Sequence, residues 1–512
     1  MMLKKLTEPG VLKILLGIII ALKFMISFNT GLFEDEAIYW NWSQNPDPSY
    51  SFTTLSALNL FTAFPGYVNE FTVRLPALLT NFVILFFLLR TGKFLGFSER
   101  KILLTAVLIF SIPFVTIYSS FISPDSMILM FTLSSVFFSI KVIKKGNTED
   151  WILCGVSFGL LILSKYTGVV FAAAFAVFVI YFRKDLKGFS VFKLSAFLIS
   201  VFILVSPLLY WNLINEPVWL NYYFKTGADK IDSGYAESIY RFILSQTAIL
   251  LPVTFILIIY ITFNRLRKKE KTPEEKFLLF SGIFILFCFA LLSLSGKLKG
   301  NWPFMAYIPL AFLYIYTKKT VTVRILFAIT FAVNIFLLSL LNMSSDSISS
   351  IADNKFGNYI NSTYHDYWPG YAGNSANDKN WEERILKMKN WQSSILKLND
   401  EIITSDLRYD FLASDNFILS PLLKFYMKKD NVYLLGDLRF RYINSAEVNS
   451  ELTGKDAILI SYNDSDTGPV ENRFEEIKEV KKIRFRISED LYQEFTINQC
   501  RNFKPGIVSA DE

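Results

Sequence analysis

The segment VLKILLGIIIALKFMISFNTGLFEDEAIYWNWSQ, Val11 to Gln44, decides the class of this protein. Its first half is an apolar run that follows Lys4 and Lys5 and is long enough to cross the roughly 30 Å of a bilayer's hydrocarbon. Its second half places Glu34, Asp35 and Glu36 within a few residues of that run, followed by Trp40 and Trp42. Charges at such a depth are costly unless they face water or a polar site, so they are functional candidates by default. The bland readings are a solvated turn for the acids and an interfacial aromatic belt for the tryptophans.

The rest of the chain repeats the first pattern. Of 512 residues, 52% are hydrophobic, only 19% are charged and 50 are phenylalanine, with a mean hydropathy of +0.35. That composition excludes an ordinary soluble globule and gives a polytopic α-helical membrane protein. No small-residue cleavage site follows the first run, so it reads as a retained helix and not as a signal peptide. Eleven spans are expected, at about 11–28, 75–92, 102–121, 124–140, 151–164, 167–182, 191–210, 242–263, 277–295, 302–317 and 323–341. Loops rich in Lys and Arg (RTGKFLGFSERK, KVIKKGNTEDW, FRKDLKGF, NRLRKKEKTPEEK, TKKTVTVR) alternate with loops poor in them. The positive-inside rule therefore places the N-terminus in the cytoplasm and the acids outside. The net charge of +7 is thus a topology signal, and no nucleic-acid partner is expected.

Three units follow from this reading. Residues 1–341 form the membrane domain, with a long first outer loop over 29–74. Its amphipathic segments near 36–44 and 53–64 read as helices lying on the membrane surface. Residues 342–395 form a connector containing TYHDYWPGYAGN, and 396–512 form a small extracytoplasmic α/β domain. In that domain EIITSD, NVYLLG and DAILISYND read as buried strands, with a helix near Tyr409 to Met427. KKIRFRISEDLYQEFTINQ reads as an antiparallel pair.

The chemistry is bounded by what is scarce. One histidine, His365, and three scattered cysteines, Cys154, Cys288 and Cys500, make neither a disulfide framework nor a zinc site, and no Walker-type phosphate loop appears. No cofactor is expected; Glu34, Asp35, Glu36 and Asp125 offer oxygen to a hard cation, but nothing demands a metal. The remaining polar residues gather at the outer ends of spans: Asp125 in SPDS, Lys165 in LSKYTG, Arg74 in FTVRLPALL, and Lys297, Lys299 and Asn301 in GKLKGNWP. Singly, Lys165 and Arg74 read as snorkelling side chains and Asp125 as a helix cap. Together they suit group transfer from a lipid-borne phosphate, with a carboxylate to handle a proton and cations to hold the phosphate.

DEAIYWNWSQ, FTVRLPALL, SPDS, GLLILSKYTG, SPLLYWN and GKLKGNWP, occurring in this order, resemble the membrane glycosyltransferases of the dolichyl-phosphate-mannose protein mannosyltransferase superfamily, which includes the aminoarabinose transferases of lipid A. The resemblance spans about residues 11–320, with a fainter echo in TSDLRYDFLASDNFILSPLLKFYM, residues 404–427. It implies a type C glycosyltransferase fold of about eleven transmembrane helices, in a bacterial inner membrane. It implies a polyprenyl-phosphate sugar as donor and a lipid A, surface glycan or protein acceptor. By the same resemblance Asp35 is the catalytic carboxylate and Glu36 its paired acid. Asp125, Lys165, Arg74, Lys297, Lys299 and Asn301 then bind substrate or the lipid phosphate. One departure stands out. The family's basic-Pro-Pro motif, about fifteen residues after the acids, is replaced here by Tyr50-Ser51-Phe52-Thr53-Thr54-Leu55. A polyprenyl-lipid flippase and a non-catalytic assembly protein are the competing functions.

Overall fold

The computed structural model describes residues 7–46, 50–63, 67–214, 235–295, 300–318, 320–352, 381–435, 450–463, 470, 472–488 and 491–504. The expected connector motif and its histidine lie outside these residues, as do Lys297 and Lys299. The chain divides into two compact units: Met1–Phe28, Pro46–Asn342 and Tyr367–Tyr371 in the first, and Asn29–Asn45, Met343–Asp366 and Ala372–Glu512 in the second.

The helices run, in chain order, α1 Pro9–Asn29, α2 Glu34–Ser43, α3 Phe52–Thr62, α4 Glu70–Phe94, α5 Glu99–Phe110, α6 Pro113–Tyr118, α7 Pro124–Lys144, α8 Thr148–Ser164 and α9 Gly168–Tyr181. They continue with α10 Val191–Ile214, α11 Tyr235–Leu250, α12 Pro252–Leu266, α13 Pro273–Ser293, α14 Tyr307–Phe312 within a 3-10 flanked segment, and α15 Val321–Asn342. α16 Ser345–Ala352, α17 Trp381–Thr404 and α18 Leu419–Met427 belong to the second unit.

All eleven expected spans are helical, but they are not eleven straight crossings. Among the described residues six helices (α1, α4, α7, α10, α13 and α15) are long and apolar enough to cross a membrane. A seventh crossing is formed if α11 and α12 count as one span; they are bent by 106° at Leu251 and Pro252. The segment expected over 102–121 is split between α5 and α6, where Pro113 opens a new helix. α8, α9 and the segment Trp302–Tyr316 are shorter than a full crossing. Proline explains two of the differences, because it lacks the N–H that would carry the helix through.

Within the first unit, small residues set the closest approach. A Cβ on Gly155 of α8 would lie 2.5 Å from the Phe197 carbonyl of α10, and one on Gly159 would lie 2.9 Å from Leu204. This is small-xxx-small packing, which lets apolar helices meet where lipid offers no hydrophobic drive. Trp151, Phe158, Phe171, Phe175, Phe178, Phe197 and Phe277 interlock around this contact. The basic loops are stitched together by acids: Lys141 with Asp150, Arg265 with Glu275 at 2.5 Å, Lys276 with Asp185 at 2.7 Å, and Lys144 with Glu274 at 3.7 Å. Partners drawn from three basic loops thus share one side of the bundle.

The second unit carries a five-stranded mixed sheet in the order β2-β1-β3-β5-β4, with β1 Phe411–Ser414, β2 Val432–Leu434, β3 Ala457–Tyr462, β4 Glu476–Arg486 and β5 Tyr492–Arg501. β1 runs parallel to β2 and β3, while β5 is antiparallel to β3 and β4. NVYLLG, DAILISYND and the hairpin are strands as expected. EIITSD instead ends α17, and Phe411–Ser414 is a strand inside the segment expected to be helical. The reason is visible in burial: Trp391, Ile395, Leu398 and Ile402 form a stripe at helical spacing. α17 also crosses the expected boundary between connector and domain at residue 395.

Phe495 and Cys500 lie five apart on β5 and therefore face opposite sides of the sheet. On one side Trp391 of α17 packs on Tyr462 and Phe495, and the Ser394 hydroxyl donates to Gln493 Oε1 at 2.6 Å. On the other, Cys500 joins Phe411, Leu459, Phe474 and Phe503. Trp391→Ala is expected to destabilise this unit by about 3–5 kcal/mol, the cost of emptying a large aromatic site. Thermal unfolding monitored by near-ultraviolet circular dichroism checks it, and an unchanged transition would remove Trp391 from the core.

Candidate functional site

In the membrane unit, the break between α8 and α9 and the start of α7 create a buried polar centre. α8 stops at Ser164, and Lys165 is extended (φ −165°, ψ 139°). A Cβ on Gly168 would lie 2.7 Å from the Leu161 carbonyl, so the tight return into α9 requires glycine there. α7 opens with Pro124 at its first position, and the Ser123 N–H donates to the Ser126 hydroxyl at 3.0 Å. These two ends face one another: Lys165 Nζ donates to Asp125 Oδ1 at 2.8 Å, with side chains only 6% and 8% exposed. Asn301 Nδ2 donates to Asp125 Oδ2 at 3.1 Å and to the Tyr118 hydroxyl at 3.2 Å. The structure therefore gathers Asp125, Lys165 and Asn301, and both carboxylate oxygens of Asp125 are engaged. Tyr118 joins them without any signal in the sequence, since it sits in an apolar stretch.

The segment that replaces the basic-Pro-Pro motif lies against the same break. Ser51 precedes α3 in a left-handed conformation (φ 53°, ψ 40°), a strained state for a residue other than glycine. Thr53 Oγ1 and Ser164 Oγ are 2.7 Å apart, and the Tyr50 and Tyr166 rings meet at 6.1 Å. The Ser51 and Thr54 hydroxyls are buried without a hydrogen-bond partner among the described residues. Where the resemblance leads one to expect a cation, the Thr53 hydroxyl and the Tyr50 ring thus meet the segment that carries Lys165. Arg74, in the second turn of α4, is fully buried with its guanidinium 5.0 Å from the Phe121 ring centre.

A further buried cation lies inside α1. Lys23 Nζ donates to Ser119 Oγ at 2.8 Å and to Asn81 Oδ1 at 3.1 Å, and it stands 4.8 Å from the Phe110 ring centre. Asn81 Nδ2 in turn donates to the Ser119 carbonyl at 2.7 Å. A lone lysine in an apolar run is a readable sign of such a network.

The acidic helix α2 belongs to the other unit. Glu34, Asp35 and Glu36 occupy its first turn, where the helix dipole favours negative charge. Asp35 is exposed, whereas Glu36 is 1% exposed and its Oε2 accepts the Phe33 N–H at 3.0 Å. One acid therefore faces outward and its neighbour closes the helix cap. The Leu32 N–H donates to the Tyr426 hydroxyl at 2.7 Å, and the Trp40 and Phe425 rings meet edge to face at 4.9 Å. Among the described residues no three His, Cys, Asp or Glu side chains converge to hold a metal ion.

Residues 53–211, from Thr53 to Trp211, match the family model of dolichyl-phosphate-mannose-protein mannosyltransferase. Lipid A galacturonosyltransferase RgtD of Rhizobium johnstonii is 24% identical over 307 residues, which cover 58% of this chain and 63% of that protein. ArnT from Cupriavidus metallidurans, solved bound to undecaprenyl phosphate, superposes with a TM-score of 0.57 at 12% identity. Its apo state gives 0.58, and both superpositions cover 95% of this chain and 98% of theirs. Residues 53–211 are thus similar to the mannosyltransferase family model, and the chain is similar in fold to ArnT along nearly its whole length. The structural likeness and the long apolar helices show the fold: a multi-pass helical membrane protein with an α/β domain at its C-terminus. The chain spans about 63% of the curated relative's length. The matched model begins at Thr53, beyond the acids of α2, and ends before Asn301.

Proposed function

We propose that this protein is a membrane glycosyltransferase that moves a sugar from a polyprenyl-phosphate carrier to an extracytoplasmic acceptor, with lipid A the favoured acceptor. The observation that carries the reading is the similarity to a lipid A galacturonosyltransferase along 307 residues. The full-length likeness to an ArnT structure bound to undecaprenyl phosphate supports the donor class. The alternation of basic loops supports an inner-membrane orientation with the N-terminus in the cytoplasm and the C-terminal domain outside.

In this mechanism an acceptor oxygen attacks the anomeric carbon. The bond from that carbon to the phosphate oxygen breaks, and the polyprenyl phosphate leaves with the bonding pair. Asp35, the exposed acid of α2, takes the acceptor proton. Arg74, Lys297 and Lys299 offset the charge on the departing phosphate. Lys165 is already paired with Asp125, so that pair and Asn301 serve as a brace that holds the ends of α7 and α8. Glu36 caps the helix that carries Asp35.

The test uses the full chain in proteoliposomes with lipid A and a panel of radiolabelled polyprenyl-phosphate sugars, uronic acid, aminopentose and hexose. Label is expected in the lipid A fraction with at least one donor, together with release of unlabelled polyprenyl phosphate. Absence of transfer from every donor overturns the proposal. Movement of donor between leaflets without transfer would assign the protein to transport instead.

A further inference from the structure

The stretch SPLLKFYM, Ser420 to Met427, ends the segment whose sequence faintly echoes the family, and the mechanism above gives it no task. Almost all of it is buried. α18 hides Pro421, Leu422, Leu423, Phe425, Tyr426 and Met427, and it stops where Lys428 turns left-handed (φ 52°). Two of these residues meet the acidic helix on either side of its acids. Tyr426 accepts the Leu32 N–H at 2.7 Å, three residues before Asp35. Phe425 meets Trp40 at 4.9 Å, five residues after it.

The Tyr426 contact is built and not incidental. Leu32 is fully buried and lies ahead of the Phe33 cap, and a buried backbone donor needs an acceptor. The Tyr426 oxygen is that acceptor. Gly31 marks how close the chains come: a Cβ there would lie 3.0 Å from the Tyr426 oxygen and 3.5 Å from the Met388 carbonyl. Glu36 then ties the Phe33 N–H into the first turn. Leu32, Phe33 and Trp40 are each held, and Asp35 alone of this group is exposed.

We propose that Tyr426 is a positioning residue for the transfer reaction, and that the C-terminal domain uses it, with Phe425, to aim the Asp35 carboxylate. This rests on the role given to Asp35 above. The acid is mounted on a short helix of ten residues that is tied on either side of its acids to α18 of the same unit. Loss of one tie lets the first turn shift, and displacements near 1 Å in a reacting group cost up to about a hundredfold in rate.

The test compares wild type, Tyr426→Phe and Phe425→Leu as full chains in the proteoliposome assay. Tyr426→Phe keeps the ring and loses the acceptor oxygen. It is expected to lower kcat about tenfold, with KM for the lipid donor and the thermal transition unchanged. Amide hydrogen exchange is expected to quicken at Leu32 and Phe33, with the sheet of the same domain unaffected. Phe425→Leu, which leaves that hydrogen bond in place, is expected to lower kcat severalfold without exposing the Leu32 amide. Full kcat in Tyr426→Phe overturns the inference whether or not exchange changes, and a rise in KM at constant kcat overturns it in favour of donor binding. If Tyr426→Phe does not fold, full kcat in Phe425→Leu overturns the inference and a selective loss sustains it. An inactive wild type refutes the functional reading itself, which separates the two failures.

Discussion

Asp35→Asn is expected to lower sugar transfer at least a hundredfold while leaving the protein folded and able to bind its lipid donor. Asparagine keeps the size and the first-turn position of the side chain but has no basic oxygen for the acceptor proton. A positioned general base contributes roughly a hundredfold to ten-thousandfold. The fold should not register the change, because the cap of α2 is made by Glu36 and the Phe33 N–H. The residual cost is the helix-dipole preference for an anion, a few tenths of a kcal/mol up to about 1. Glu36→Gln is the control. Glutamine still offers an oxygen to the Phe33 N–H, so transfer should fall by no more than severalfold. Steady-state transfer with equilibrium donor binding checks both variants. Wild-type kcat in Asp35→Asn removes the acid from the chemistry, and a collapse confined to Glu36→Gln moves the base one residue along.

Lys165→Met is expected to destabilise the membrane unit by about 3–5 kcal/mol, because it strands the Asp125 carboxylate in a site that is nearly sealed. Asp125→Asn should cost less, since the amide retains an oxygen toward Lys165 and the Asn301 amide can turn toward it. The double variant Lys165→Met/Asp125→Leu should recover much of the loss, the usual result when a buried pair is replaced as a whole. A double-mutant cycle on denaturant midpoints in detergent measures the coupling. A Lys165→Met protein as stable as wild type would break the brace. Activity adds a second reading: a stable double variant that transfers sugar confirms a structural pair, and a stable but inactive one returns Lys165 to the lipid phosphate.

Much of this architecture is legible from periodicity, and much of the site is not. The six long spans and the two short helices after α1 follow from runs of apolar residues and from their amphipathic edges. The β4–β5 hairpin follows from alternation across KKIRFRISEDLYQEFTINQ. EIITSD misleads because six residues are too few to separate a strand from the last turns of a helix; only the stripe reaching back to Trp391 does so. The bend at Pro252 is marked by a proline in an unbroken apolar run, which hydropathy alone passes over. Asp125 and Lys165 stand forty residues apart, and each has an ordinary local role as cap or snorkelling side chain. Their pairing arises only from packing. Tyr426 is 394 residues from Leu32, and nothing in KFYM announces a hydroxyl reserved for a distant amide.

Lys23 has a consequence for how the protein is made. Its partners are Asn81 and Ser119, which leave the ribosome 58 and 96 residues later. When α1 first meets the bilayer it carries an ammonium group with nothing to receive it, and such a group at mid-span costs about 2.5–3.5 kcal/mol on insertion. The helix cannot settle at its final depth on its own. It must wait beside the insertion machinery, or sit displaced with the lysine reaching for the headgroups, until α4 and the junction after α6 arrive. The first helix to enter therefore cannot lock until the third apolar segment has been synthesised.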